Sequence, residues 1–239
     1  MHGFLPSGPT KTLAEDVMNH VHRAVVTGEL ETGKLYSVYQ LAEQLGISRS
    51  PVRDGLLRLE EAGLIEFSRN RGFRIVPTSH TDVAEIFSIR MALEIPAAHR
   101  AALSDGPRLA DQLEAIEDQM VRAAENDDVA EFFRLDQELH DLILVAARCS
   151  RSRQIIARLR ISTQLLGIST AGKERTLSDI IAEHSPIIEA IRSGNPEDAA
   201  SAMHEHLSST GRLLVAQAAT QQQISIDADQ LWDELTAGY

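Results

Sequence analysis

The residues of this 239-residue sequence whose spacing carries the most chemistry are one aspartate and three histidines in the C-terminal half. Asp136 and His140 stand four apart in Phe132-Phe133-Arg134-Leu135-Asp136-Gln137-Glu138-Leu139-His140. On a helix that spacing puts both side chains on one face, within reach of one ion. His184 lies in Ala182-Glu183-His184-Ser185-Pro186-Ile187-Ile188, beside an apolar stripe that includes Ile180, Ile181 and Ile191. His206 lies in Met203-His204-Glu205-His206-Leu207, again next to core-type residues. Three helices carrying these groups can aim one carboxylate and three imidazoles at a common point. Neutral imidazole suits zinc, nickel and other transition metals. A plainer reading stands beside this one. An Asp-x-x-x-His pair is commonly a surface ion pair, and a single histidine among apolar residues is commonly a core residue satisfied by a hydrogen bond. His2, His20, His22, His80 and His99 take the plain reading. His204 sits about 200° around its helix from His206 and cannot share its site.

A second group is basic. Arg49 and Arg53 are four apart at the start of a helical pattern, flanked by Ser48 and Ser50. Like charges at that spacing repel slightly on an isolated helix. The placement makes sense if phosphates or guanine edges lie opposite. Arginine can bond guanine O6 and N7 together, worth about 1–3 kcal/mol of discrimination. The two serines and the helix N-terminus can bond phosphate oxygens. Further on, Arg69, Arg71 and Arg74 surround Gly72, which permits close backbone approach. The alternative is a solvated basic face on a small helical domain.

The elements that must position these groups are legible in outline. Residues 12–27 read as a helix with Leu13, Val17, Val21 and Val25 on one stripe. Ser37 and Gln40 have the form of a capping box ahead of a short helix through Leu41, Ala42 and Leu45, which Gly46 ends. Ser48 or Ser50 can cap the next helix, with Pro51 tolerated in its first turn and Val52, Leu56 and Leu59 facing inward. Two short helices joined by a tight glycine turn make a helix-turn-helix. The period then changes to two: Ile65 and Phe67, then Phe73 and Ile75, alternate with polar residues around a turn at residues 69–72, giving a hairpin wing. After a connector at residues 76–80, Thr81 or Asp82 can cap a new helix. Helical patterns follow at roughly 82–104, 107–125, 127–148, 151–170, 176–193 and 196–219, with no convincing strand pair between them. Short breaks favour an antiparallel bundle. Leu231, Trp232 and Leu235 mark a short final helix.

Composition divides the chain in the same place. The net charge is −12, yet residues 1–78 hold nine Lys/Arg and nine Asp/Glu, so the whole excess lies beyond residue 78. A locally basic reading head on an acidic body suggests two tasks on two domains. No stretch reaches the roughly 18 apolar residues of a membrane span, the first residues lack a secretory pattern, and Cys149 stands alone, which together predict a cytoplasmic protein.

The run Leu41-Ala42-Glu43-Gln44-Leu45-Gly46-Ile47-Ser48-Arg49-Ser50-Pro51-Val52-Arg53-Asp54-Gly55-Leu56, followed by Leu59-Glu60-Glu61-Ala62-Gly63-Leu64-Ile65, resembles the DNA-binding domain of the GntR family of bacterial regulators. The resemblance implies that Ser48, Arg49, Ser50 and Arg53 contact DNA, with Arg71 and Gly72 in the wing. Asp54-Gly55 stands where relatives usually carry Glu-Ala, and Tyr39 where many carry an arginine. Residues 82–215 resemble the FCD-type effector domain of the FadR branch, with Arg90-Met91-Ala92-Leu93-Glu94 as its opening signature. That resemblance implies that Asp136, His140, His184 and His206 hold a divalent metal, often zinc, and that the carboxylate of a small organic acid completes its coordination. An asparagine usual after the Asp/His helix is replaced here by Cys149-Ser150. Arg90 serves either to neutralise an acidic effector or to pair with Glu94, four residues on.

The expectation is therefore a mainly α protein. Residues 1–78 form a winged helix-turn-helix domain of three helices and a small β-hairpin. Residues 79–220 form an all-α effector- and metal-binding bundle, and residues 221–239 a tail. The function expected is sequence-specific DNA binding as a homodimer on a palindromic operator, with repression modulated by an organic acid. A pure metal sensor and a metal-dependent hydrolase are the alternatives.

Overall fold

The computed structural model describes residues 12–26, 28–69, 71–76, 78–104, 106–165 and 175–237. The chain divides into two compact units, with the boundary in sequence just before Thr78.

The N-terminal unit holds α1 (Leu13–Val26), β1 (Leu35–Tyr36), α2 (Val38–Leu45), α3 (Arg49–Glu61), β2 (Ile65–Ser68) and β3 (Gly72–Ile75). The buried stripe of α1 is Ala14, Val17, Val21 and Ala24, while Leu13 is 53% exposed. A strict four-residue spacing drifts about 40° around the helix at each step, so Leu13 leaves the face that Val17 and Val21 share. Ser37 caps α2 by accepting from the amides of Tyr39 and Gln40, and Gly46 closes it at φ 64°. Ser48 is the N-cap of α3 without a side-chain cap bond, so the capping expected there is not formed. Val52, Leu56 and Leu59 are fully buried as expected.

The wing is a three-stranded antiparallel sheet in the order β1-β3-β2. Ile65 faces Ile75 and Phe67 faces Phe73 across the expected hairpin. The added strand β1 pairs Leu35 with Arg74 and Tyr36 with Phe73. Two residues are too few to show a period, so β1 left no trace in the sequence pattern.

The second unit is helical throughout its described residues: α4 (His80–Ala102), α5 (Gly106–Glu125), α6 (Val129–Ala146), α7 (Ser150–Leu165), α8 (Leu177–Arg192), α9 (Pro196–Gln221) and α10 (Ala228–Thr236). The helix break expected at Ala171-Gly172 lies outside the described residues. The cap of α4 is Ser79, not Thr81 or Asp82. Its hydroxyl accepts from the Asp82 amide at 3.0 Å, while the Asp82 carboxylate accepts from the Ser79 amide at 2.6 Å. Asp82 thus closes the first turn as its third residue, which the local sequence permits as readily as capping by Asp82 itself.

α4 lies along α9, and α5 packs on α6 and α8. Phe87, Leu113, Met120, Phe132, Leu139, Ile187 and Leu207 fill the space between them with no exposed surface. The final helix α10 returns onto α4 and α9 and buries Trp232.

Candidate metal centre and nucleic-acid interface

On α6, Phe132, Leu135, Leu139 and Ile143 are buried, so Asp136 and His140 share the inward side of that helix. On α8, burial of Ile180, Ile187, Ile188 and Ile191 turns His184 the same way. On α9, burial of Met203 and Leu207 does this for His206. The outcome is one cluster: a ligand atom from each of Asp136, His140, His184 and His206 lies within 4.8 Å of every other. The Nε2 of His184 is 3.2 Å from a carboxylate oxygen of Asp136 and 3.4 Å from the Nε2 of His140. The ring of His206 is centred 4.4 Å from that of His184.

The electrostatics put Asp136, His140 and His206 in the protonation states a cation needs. Burial pushes His140 down to about 3, helped by the nearby Arg160 guanidinium. Burial likewise takes His206 down to about 4, with His184 adding to the effect. Both imidazoles are therefore neutral near pH 7. Burial alone would raise the Asp136 carboxyl, but Arg160 and the histidines hold it well below its ordinary value. Arg160 donates to Asp136 Oδ2 at 2.8 Å, leaving Oδ1 toward His184. A buried set of three imidazoles, two of them held neutral, and one ionised carboxylate is a donor set that fits zinc or nickel.

Arg90 is buried and donates from Nε to Glu94 Oε1 at 2.7 Å. This is the second of the two roles its sequence left open. Glu94 in turn bonds His140 Nδ1 at 2.6 Å. Four residues at this centre escaped the sequence reading as functional groups: Glu94, Arg160, Arg175 and Glu183. Glu94 appeared only as a partner for Arg90. Arg160 and Arg175 are buried although nothing local marks them so, and Glu183, beside His184 on α8, finds its partner His206 only through the fold.

In the N-terminal unit, Ser48, Arg49, Ser50 and Arg53 lie exposed on the first turns of α3, and Arg69, Arg71 and Arg74 are exposed on the wing. None of these five arginines is paired with an acidic side chain among the described residues. Gly72, at φ 127°, has a structural duty as well: a Cβ there would fall 1.9 Å from the Tyr36 carbonyl oxygen. The backbone it admits closely is that of β1.

The GntR family model of bacterial regulatory proteins matches residues 13–75, and the FCD domain model matches residues 85–209. An uncharacterized HTH-type transcriptional regulator of Agrobacterium vitis is 32% identical over 53% of this chain and 76% of its own length. A probable D-xylose utilization operon transcriptional repressor of Paenarthrobacter nicotinovorans is 28% identical over 82% of this chain and 86% of its own. Among solved structures, Escherichia coli McbR/YncC has the same fold, with a TM-score of 0.70 at 22% identity over 87% of this chain and 99% of that one. These are families and relatives of regulators, not of enzymes, which removes the hydrolase alternative. The exposed basic helix and wing on one unit and the buried Asp/His cluster on the other thus sit in a chain that belongs to the GntR family of bacterial regulatory proteins, in the form that carries an FCD domain, and it is a DNA-binding transcriptional regulator.

Proposed function

We propose that this regulator is a cytoplasmic repressor of the FadR branch, and that a small organic acid held at a divalent-metal site in the helical unit modulates its operator binding. The observation that carries the reading is the convergence of Asp136, His140, His184 and His206, with His140 and His206 held neutral. Zinc is the ion these donors suit best, with nickel accepted by the same set. When bound, such an ion offers open coordination positions to the carboxylate of an effector.

Residues 1–78 read DNA in this account, residues 79–220 sense the effector, and residues 221–239 brace the sensing unit. Ser48, Arg49, Ser50 and Arg53 meet base edges and phosphates, and Arg71 and Gly72 place the wing on the backbone. A homodimer sets two recognition helices on a palindromic operator. The repressors named among the relatives support the sign of control.

A route for coupling runs along α9. That helix carries His206, and just past its end Gln222 donates to the Thr78 carbonyl at 2.9 Å and bonds His80 Nδ1 at 3.1 Å. A shift of α9 on effector binding therefore reaches residues of the connector, Thr78 and His80. The effector acts only through its differential affinity for two arrangements, typically about 1–3 kcal/mol.

The test is a gel-shift titration at fixed salt on an operator selected from random duplexes by the wild-type protein. Arg49→Ala is expected to abolish specific binding. An unchanged affinity would overturn the recognition-helix assignment.

A further inference from the structure

Each of two histidines in the cluster is held from behind by a carboxylate, and each carboxylate is held by an arginine. His140 Nδ1 lies 2.6 Å from Glu94 Oε2, with both side chains almost wholly buried. The other oxygen of Glu94 accepts from Arg90 Nε at 2.7 Å. His206 Nδ1 lies 3.0 Å from Glu183 Oε2. Arg175 donates to that same oxygen, and its Nη1 is tied to Thr210 Oγ1 at 3.1 Å. Ser209 Oγ donates to the remaining oxygen of Glu183 at 3.3 Å. The two Arg–Glu–His chains are built on different helices: Glu94 stands on α4 and Glu183 on α8.

A neutral imidazole has a single N–H, on one nitrogen or the other. An ionised carboxylate only accepts. Glu94 is ion-paired with Arg90 through one oxygen and bonds His140 through the other, as Glu183 is ion-paired with Arg175. It therefore requires the proton of His140 on Nδ1, and Glu183 requires the same of His206. In both rings Nε2 keeps its lone pair, and in His140 that atom is the one 3.4 Å from the Nε2 of His184. His184 differs: its Nδ1 is buried and has no hydrogen-bond partner among the described residues.

We propose that Glu94 and Glu183, clamped by Arg90 and Arg175, are positioning residues that set the tautomer and direction of His140 and His206, and thereby the affinity of the centre for a divalent ion. The inference rests on the metal reading above and adds to it. It also gives Arg90 a duty one step removed from any effector. Outer partners of this kind are worth about 10–100-fold in metal affinity.

The experiment uses the full chain and Zn2+ as probe. Affinity is read by competition with a chromogenic chelator, and the histidine tautomers of the metal-free protein by 15N NMR. In the wild type, His140 and His206 are expected to carry their proton on Nδ1. Glu94→Gln and Glu183→Gln are each expected to weaken Zn2+ binding about 10–100-fold and to move the proton of the matching histidine partly to Nε2. A merely structural role would lower the thermal midpoint and leave the tautomer of the distant histidine and of its own partner unchanged. Should Glu94→Gln fail to fold, Glu183→Gln decides, because the Glu183 side chain is 25% exposed. Folded variants that bind Zn2+ as tightly as wild type, or wild-type rings protonated on Nε2, would overturn the inference alone. A wild-type chain that takes up neither Zn2+ nor Ni2+ would overturn the metal reading and this inference together.

Discussion

Trp232 lies so closely over Gly211 that a Cβ on residue 211 would fall 2.1 Å from its six-membered ring and 3.0 Å from Phe87. The indole is 2% exposed, and its ring centroid is 6.1 Å from that of Phe87. Arg212, the next residue on α9, reaches Asp229 at 2.7 Å and Asp233 at 2.5 Å on α10. The last helix is thus docked by one aromatic plug with a charged clasp beside it. The clasp is exposed and worth little by itself; the plug supplies the energy. Trp232→Ala is expected to cost about 3–5 kcal/mol. Gly211→Ala should expel the ring instead of deleting it. Trp232 is the only tryptophan in the sequence, so its emission reports the docking directly. The expected result for Gly211→Ala is a red-shifted emission and a lower urea midpoint; a blue, unshifted spectrum would refute the close packing.

Gly55 sits inside α3, where glycine costs about 1 kcal/mol relative to alanine. Propensity alone predicts that Gly55→Ala stabilises the chain. Packing reverses that expectation. A Cβ at residue 55 would lie 2.7 Å from the Ala14 carbonyl oxygen and 2.9 Å from Val17 Cβ and Cγ1. Two of those contacts are to backbone or to the first side-chain carbon of α1, which no rotamer change can relieve. The helix pair must separate, and overpacking of this type costs typically about 1–3 kcal/mol. Gly55→Ala is expected to lower the thermal midpoint of the full chain. A raised midpoint would mean that propensity outweighs the contact between α1 and α3.

The residues that could be read from the sequence share a property: their local pattern fixes which way they point. Asp136 and His140 lie on the buried side of α6, and His184 and His206 interrupt runs of buried apolar residues on α8 and α9. The basic face of α3 was visible because Val52, Leu56 and Leu59 take its opposite side. What could not be read depends on partners distant in sequence. Arg160 is buried by Asp136, 24 residues away, and Glu183 is engaged by His206, 23 residues on. The pairing of β1 with β3 joins residues nearly forty apart, and Trp232 packs on glycine and phenylalanine from two other helices. Arg90 lies between these cases. Its i,i+4 relation to Glu94 was legible, but the identity of the group beyond Glu94 required the fold.

Acid should loosen the helical unit before it affects most other parts of the molecule. In the unfolded chain His140 and His206 take up a proton near pH 6.5. In the folded chain they do so only at about 3 and about 4, chiefly because burial penalises the charged ring. Between those limits the unfolded state binds more protons, so the free energy of unfolding falls as pH falls. Each histidine contributes a slope of up to about 1.4 kcal/mol per pH unit over that window. Glu94 and Asp136 act in the same direction at lower pH. Both are held well below their ordinary values, so the stability they contribute is present above those values and is lost on further acidification. Repulsion within a chain of net charge −12 works the other way, since protonating exposed carboxylates relieves it. About 0.15 M salt screens that contribution and leaves the buried groups largely unaffected. Urea denaturation of metal-free protein at that salt is expected to show a midpoint that drops steadily from pH 6.5 to pH 4.5. With Zn2+ present the drop should be steeper, because a bound ion also requires neutral imidazoles. A midpoint that holds constant across this range without metal would show that the two histidines are not buried as neutral rings.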